Sequence, residues 1–216
     1  MKSIFCLIAC TLISSAALAA RSSDNPSNTG LSAYGIDIYK FSRTHQGQVI
    51  AAINQLRSFS PAVVVPARYN VDRIVPWNQT LNYVDILMYD SRATNLGYTY
   101  KDGRVYLGPA LFSQYGSFPA VMASTIFHEG DHHRFGSHDA SPTSDKSDNG
   151  PYGLQAYYQY RVYHSIRFSA SERRSAGNAG NYRAYYSIES QEAKKRLKKA
   201  YEKNIFPTLS PYGDPT

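Results

Sequence analysis

Cysteine and glutamate are both scarce in this sequence. Its two cysteines, Cys6 and Cys10, both lie in the first ten residues. Beyond them the chain can form no disulfide, and thiol catalysis and cysteine-rich zinc sites are excluded. The remaining chain must fold around an ordinary hydrophobic core, for which a chain of 216 residues is long enough.

Long apolar runs are also missing, apart from one at the N-terminus. Residues 4–18 are apolar or small and end in the small residues typical of a cleavage site. We interpret residues 1–19 as a secretory signal cleaved near Ala19 or Ala20, which is too short for a membrane anchor. A lipoprotein signal cleaved at Cys10 is the alternative, although the apolar run before it is very short. We therefore expect a secreted or periplasmic protein with no membrane span.

Acidic residues are scarcer than basic ones. The chain has 16 Asp+Glu against 23 Lys+Arg, which gives a formal net charge of +7. This charge favours loose association with anionic surfaces. However, no nucleic-acid reader motif accompanies the basic segment 194–203, so we expect no nucleic-acid partner.

We predict a flexible leader over 20–36, a single domain over 37–210 and a short tail over 211–216.

The hydrophobic pattern predicts a mixed α+β domain. Helical spacing predicts a helix over 46–58, and strand-forming residues predict strands over 61–66 and 83–89. Asp102-Gly103, between alternating aromatic and polar residues, predicts a hairpin over 98–107. Start and stop residues predict further helices over 119–135, 152–168 and 189–203, with a Gly/Ser/Asn linker over 173–181.

One histidine motif carries the chemistry. Residues 128–132 read H-E-x-x-H on a predicted helix. Residues i and i+4 of a helix lie on one face, about 5–6 Å apart, so the imidazoles of His128 and His132 can both bind one zinc ion at about 2.0–2.1 Å. Glu129 is the only glutamate in the first 171 residues. It lies beside the pair, where it can act as the general base toward a metal-activated water.

This motif, with a hairpin directly before its helix, resembles the zincin metallopeptidases. The resemblance covers roughly residues 83–168. It implies a zincin-like α+β fold, in which a small twisted sheet lies beside the H-E-x-x-H helix and further helices follow toward the C-terminus. It also implies that an extended peptide substrate lies along the sheet edge.

The sequence does not determine which residue is the third zinc ligand. His138 lies ten residues after His128, which is the metzincin distance, but Phe135 stands where that family has glycine. Asp139 and Asp145 are also within reach. The gluzincin pattern needs a glutamate on the second helix, where this chain has Gln155 and Gln159.

The aspzincin (deuterolysin-like) pattern G-T-x-D-x-x-Y-G offers another candidate. Residues 147–153 are similar to it, but Asn149 stands where the aspartate ligand belongs and Asp148 is one residue early. Asp148 can serve if the turn differs slightly. The same resemblance implies that Tyr152 lies near the metal and donates to an oxyanion; a core aromatic is the alternative.

Together these features predict a secreted zinc-dependent endopeptidase that cleaves polypeptides. The peptide cross-links of peptidoglycan are an alternative substrate that the sequence does not distinguish. A different class is a cell-wall or glycan-binding module with a structural metal, which would use some of the 19 tyrosines to stack on sugar rings.

Overall fold

The computed structural model describes residues 35–59, 63–65, 73–75, 81–100, 103–135, 148 and 150–206. The predicted signal, most of the leader and the tail lie outside these residues. The same is true of the segment with His138 and Asp139, and of Asn149.

A small four-stranded sheet forms one layer of the fold. Strands β1 (Asp37–Tyr39), β4 (Ile86–Tyr89) and β6 (Arg104–Leu107) run parallel, and β5 (Gly97–Thr99) runs antiparallel to β6. The strand order is β1-β4-β6-β5, so β5 lies at the sheet edge. Strands β2 (Val63–Val65) and β3 (Arg73–Val75) form a separate antiparallel pair.

The predicted hairpin is confirmed by the pairing of β5 with β6. Tyr98 lies opposite Tyr106, and their rings stack with centroids 4.8 Å apart. Gly103 has a φ of 78°, the left-handed conformation that glycine adopts without steric cost. This explains why a glycine occupies the turn.

Six helices lie in the described part of the chain. They are α1 (Arg43–Ser58), α2 (Pro109–Tyr115), α3 (Pro119–Phe135), α4 (Pro151–His164), α5 (Ala170–Tyr186) and α6 (Gln191–Lys203). The mixed α+β class is therefore confirmed, and α3 has the predicted bounds. Within the described ranges, no helix has the length and apolar character required to cross a membrane.

Helix α3 lies at the centre of the fold. All of its residues from Ala120 to His132 are buried, and it contacts α1, α4 and the edge strand β5. Its buried set includes polar and ionisable side chains, although a helix buried on all sides is usually hydrophobic all round. Buried ionisable groups are costly unless they are paired or bind a metal, so this polar content indicates a functional site.

The linker predicted over 173–181 is wrong, because these residues lie inside helix α5. Gly177 and Gly180 face the rings of Tyr163 and Tyr160 on α4, so the two helices can approach closely. Tertiary packing overrides the low helix propensity of glycine here. The Ser169 side chain begins the helix by accepting a hydrogen bond from the backbone N–H of Glu172.

Gly47 in helix α1 and Gly180 in helix α5 should respond oppositely to alanine. In Gly47→Ala the new methyl group meets no atom within 4 Å, so the variant should gain about 0.5–1 kcal/mol of unfolding free energy. In Gly180→Ala the methyl group would lie 2.6 Å from Cε1 of the buried Tyr160 ring. Overpacking should outweigh the gain in propensity and destabilise by about 1–2 kcal/mol. Urea denaturation measures both, and equal shifts would contradict the packing described.

Candidate metal site

His128 and His132 lie one helical turn apart on α3, and both are about 95% buried. Their Nε2 atoms are 3.1 Å apart, and their rings meet edge to face with centroids at 4.7 Å. Two nitrogens that bind one zinc ion tetrahedrally at 2.0–2.1 Å are about 3.3 Å apart. The spacing of the pair therefore fits a shared metal ion.

Glu129 completes the group. One ligand atom from each of His128, Glu129 and His132 lies within 4.8 Å of the other two. All three side chains are buried, and together they could bind a metal ion. Imidazole nitrogens with a carboxylate oxygen suit zinc and similar divalent transition metals.

Burial changes the proton affinity of Glu129. Desolvation raises the pKa of its carboxyl to about 8, while the positive charge of Arg183 acts in the opposite direction. A carboxyl group that titrates near neutral pH is well suited to accept and return a proton. The carboxyl at the position expected for the general base therefore titrates closer to neutral pH than that of a solvent-exposed glutamate.

A cavity of about 660 Å³ opens onto His128 and Glu129. Tyr152, at the start of α4, lines it and packs against the His128 ring with centroids 4.4 Å apart. Burial raises the pKa of the Tyr152 hydroxyl, and Arg183 opposes this. The hydroxyl therefore keeps its proton at neutral pH. The structure thus brings Tyr152 to the same cavity as His128 and Glu129.

The edge strand β5 borders the group on another side. A Cβ atom at Gly97 would lie 3.2 Å from Oε1 of Glu129, so the absence of a side chain lets the strand approach the carboxylate. Thr99 Oγ1 and Nε2 of His133 form a hydrogen bond between the strand and α3. His133, which is half-buried, therefore connects the helix to the sheet edge.

Asp148 does not belong to the group formed by His128, Glu129 and His132. Its buried carboxylate accepts two hydrogen bonds from the Arg196 guanidinium on α6, at 2.6 and 2.7 Å. It accepts a third from the Tyr157 hydroxyl at 2.7 Å. An ionised carboxylate has about four lone-pair positions, so Asp148 would have to use its remaining capacity to bind a metal. The other candidates, His138 and Asp139, lie outside the described residues.

Three residues of the cavity were missed by sequence reasoning. Arg183 on α5 lines it, and its guanidinium carbon lies 5.3 Å from the centroid of the Tyr152 ring. No sequence pattern indicated Arg183, because only the packing of α5 brings it there. Gln155 and Gln159 also line the cavity; the sequence drew attention to them only as positions without a glutamate.

Comparison with family models, with curated proteins and with solved structures finds no match to this chain.

The ion pair between Arg196 and Asp148 should matter for stability. Arg196→Met removes two of the three hydrogen bonds described above for the Asp148 carboxylate, which is 2% exposed. Of those three, the bond from the Tyr157 hydroxyl is kept. Because Arg196 itself is partly exposed, we expect a loss of about 2–3 kcal/mol, at the low end for a buried pair. The measurement is the free energy of unfolding in urea.

The neighbouring pair on the same helix is the matched control. Lys195 and Glu192 are also 2.8 Å apart, but their side chains are 70% and 62% exposed. Lys195→Met should therefore change the unfolding free energy by less than about 0.5 kcal/mol. Similar losses in the two variants would show that the Arg196 pair has no special structural role.

Proposed function

We propose that this protein is a secreted zinc-dependent metallopeptidase with a zincin-like catalytic domain. The observation that carries the proposal is the buried group of His128, Glu129 and His132 on α3, at a cavity beside an antiparallel edge strand. This is the arrangement that the zincin resemblance implies. The predicted secretory signal supports the location.

The donor set fits a zinc ion held by His128 and His132, with Asp148, His138 or Asp139 as the third ligand. When bound, zinc acts as a Lewis acid that polarises the scissile carbonyl and makes a water molecule more acidic. Glu129 accepts the proton of the attacking water and delivers it to the leaving amine. Its buried position beside the pair supports this role.

Two further side chains would stabilise the negative charge that develops on the carbonyl oxygen of the substrate. Tyr152 lines the cavity, with its ring next to His128, and we assign its hydroxyl the role of hydrogen-bond donor to the oxyanion. The positive charge of Arg183 acts on both Glu129 and Tyr152. It favours the ionised carboxylate and the negative charge that builds up on the carbonyl oxygen.

The edge strand supports a polypeptide substrate. Residues at a sheet edge offer backbone N–H and C=O groups to an added strand, and peptides bind many proteins in this way. Strand β5 is such an edge, and Gly97 brings it next to Glu129. A peptide laid along β5 would therefore pass close to the general base.

The positions of the tyrosines favour a peptidase that acts on peptidoglycan peptides over a simple glycan-binding module. Tyr157, Tyr158 and Tyr160 of α4 are almost completely buried and are not available to stack on sugars. Tyr182, Tyr185 and Tyr186 of α5 are more than half exposed, and Tyr182 lines the cavity. An exposed aromatic cluster beside a peptidase site suits a substrate that also carries sugar, so peptidoglycan cross-link peptides are the second candidate substrate.

Glu129→Gln should separate metal binding from catalysis. The amide keeps the shape of the side chain but cannot accept the proton, so hydrolysis of casein or of peptidoglycan peptides should fall by about 10²–10⁴-fold. Zinc should stay near one ion per chain, because the imidazoles are intact. Elemental analysis of the mature protein and a peptide-hydrolysis assay give the two values.

The same elemental analysis, applied to further variants, provides the controls and identifies the third zinc ligand. His128→Ala and His132→Ala should lose zinc, whereas His164→Ala should retain it, because His164 bonds to the Ala200 carbonyl elsewhere in the fold. Among Asp148→Asn, His138→Ala and Asp139→Ala, the variant that loses zinc identifies the third ligand. Wild-type protein that binds no zinc even when it is supplied would contradict the proposal.

Tyr152→Phe tests the oxyanion role. Loss of one donor to the oxyanion should lower kcat by about 10²–10³-fold, with little change in KM. Zinc content should not change. If Tyr152 serves only as packing against His128, phenylalanine should preserve kcat. Steady-state kinetics on a fluorogenic peptide distinguish these outcomes.

A further inference from the structure

Arg183 is the only lysine or arginine among the described residues that line the cavity. It lies on α5, where its guanidinium carbon is 5.3 Å from the ring centroid of Tyr152 and 5.9 Å from that of Tyr182. The Tyr152 ring packs against His128, whereas Tyr182 is 57% exposed. Arg183 is itself partly exposed. It therefore contacts one cavity residue beside the histidine pair and one that is open to solvent.

The guanidinium of Arg183 has no anionic partner among the described residues. Glu129 is near enough for the positive charge to lower the pKa of its carboxyl, but the two side chains form no ion pair. Within the same part of the chain, the contacts of the guanidinium are those with the two tyrosine rings. An arginine has five N–H donors in a planar fork, and ring faces do not accept them as an oxygen would. These donors remain for a ligand.

This chemistry is complementary to a carboxylate. The guanidinium fork matches the two oxygens of a carboxylate in a bidentate pair, and such charge-assisted hydrogen bonds are about twice as strong as neutral ones. A positively charged group of a substrate would be repelled by Arg183. A backbone carbonyl can accept from the same donors, but it has no charge and forms the weaker bond. In a peptide, carboxylates occur on aspartate and glutamate side chains and at the C-terminus.

The contacts also limit how far this group lies from the reacting bond. The Tyr152 ring centroid is 4.4 Å from that of His128, and the Arg183 guanidinium carbon is on the 5.3 Å contact with the same tyrosine. The guanidinium carbon is therefore within about 10 Å of the His128 ring, a distance that about three residues of extended peptide span.

We propose that Arg183 binds a carboxylate of the substrate, so that the enzyme prefers peptides with a negative charge within about three residues of the scissile bond. This proposal rests on the proposed peptidase function and names its substrate class. The carboxylate belongs to an acidic side chain or to the free C-terminus of the peptide, which offer the same chemistry. Arg183 is then a specificity-determining residue.

The test uses quenched fluorescent peptides that differ only in one charge. In the first set, a single glutamate replaces glutamine at each position in turn. In the second set, the C-terminus is either a free acid or a carboxamide. The quantity compared is the ratio of kcat/KM for the acid to kcat/KM for its amide. An effect of Arg183 on the chemical step is common to both peptides and cancels from this ratio.

Three variants are compared with the zinc-loaded wild type. Arg183→Gln removes both the charge and the fork, whereas Arg183→Lys keeps the charge without the bidentate geometry. Arg174→Gln is the matched control, because it removes the same charge from an exposed position of α5. Arg174 does not line the cavity and lies nine residues earlier in the helix, which is about 14 Å along its axis.

Wild type and Arg174→Gln should prefer the acid over its amide by about tenfold or more in one pair of peptides. The preference should lie mainly in KM, because two fixed charges attract equally in the ground state and the transition state. Arg183→Gln should lower the ratio to about one, and Arg183→Lys should keep part of it.

The peptide pair that shows the preference identifies the source of the carboxylate. A preference at an internal position supports an acidic side chain, and a preference for the free acid terminus supports the C-terminal carboxylate. A ratio near one for every pair in the wild type, or an unchanged ratio in Arg183→Gln, would overturn the inference and leave the peptidase function intact.

A binding measurement separates the failure of this inference from the failure of the proposed function. Paired acid and amide peptides are titrated by calorimetry into Glu129→Gln in the presence of zinc, with and without Arg183→Gln. Tighter binding of the acid peptide, lost in the double variant, supports the inference even if the wild type cleaves nothing. Equal binding of acid and amide overturns it. Tighter binding of the acid that persists in the double variant also overturns it, because another group then binds the carboxylate.

Discussion

The burial of a polar helix at the centre of the fold is the constraint on which the rest of the structure depends. Helix α3 places two imidazoles and two carboxylates, those of Glu129 and Asp131, where little solvent reaches them. Such groups are stable inside a protein only when partners or a metal ion compensate their lost hydration. The neighbouring elements are arranged around this requirement.

Helices α4 and α5 support α3 and its cavity, and α6 contacts a residue that precedes α4. Helix α5 binds the start of α3, because Glu172 accepts a hydrogen bond from the backbone N–H of Ala120 at 2.9 Å; it also brings Arg183 to the cavity. Helix α4 supplies the aromatic ring of Tyr152 against His128 and the side chains of Gln155 and Gln159 on the cavity wall. Helix α6 holds Asp148, just before α4, through Arg196. The site is therefore assembled from elements that are far apart in sequence.

Sequence reasoning worked where the information is local. The bounds of α3 follow from its apolar pattern and from Pro119 at its start. The hairpin follows from the Asp102-Gly103 dipeptide between alternating aromatic and polar residues. Sequence reasoning failed where contacts between distant segments determine the structure. The glycines of α5 indicate a loop until the tyrosine rings opposite them are known. Likewise, Arg183 has no local pattern, and the pairing of Asp148 with Arg196 spans 48 residues. The choice among the third-ligand candidates depends on the same kind of tertiary placement, and the sequence left it open.

The central claim is that His128 and His132 share one metal ion. Crystals of the mature chain grown with zinc, with anomalous diffraction recorded at the zinc absorption edge, test this most directly. The account predicts one anomalous peak per chain, about 2.0–2.1 Å from Nε2 of each histidine, with Glu129 beside it. An ordered His128 and His132 with no anomalous peak between them, in crystals that contain zinc elsewhere, would contradict it.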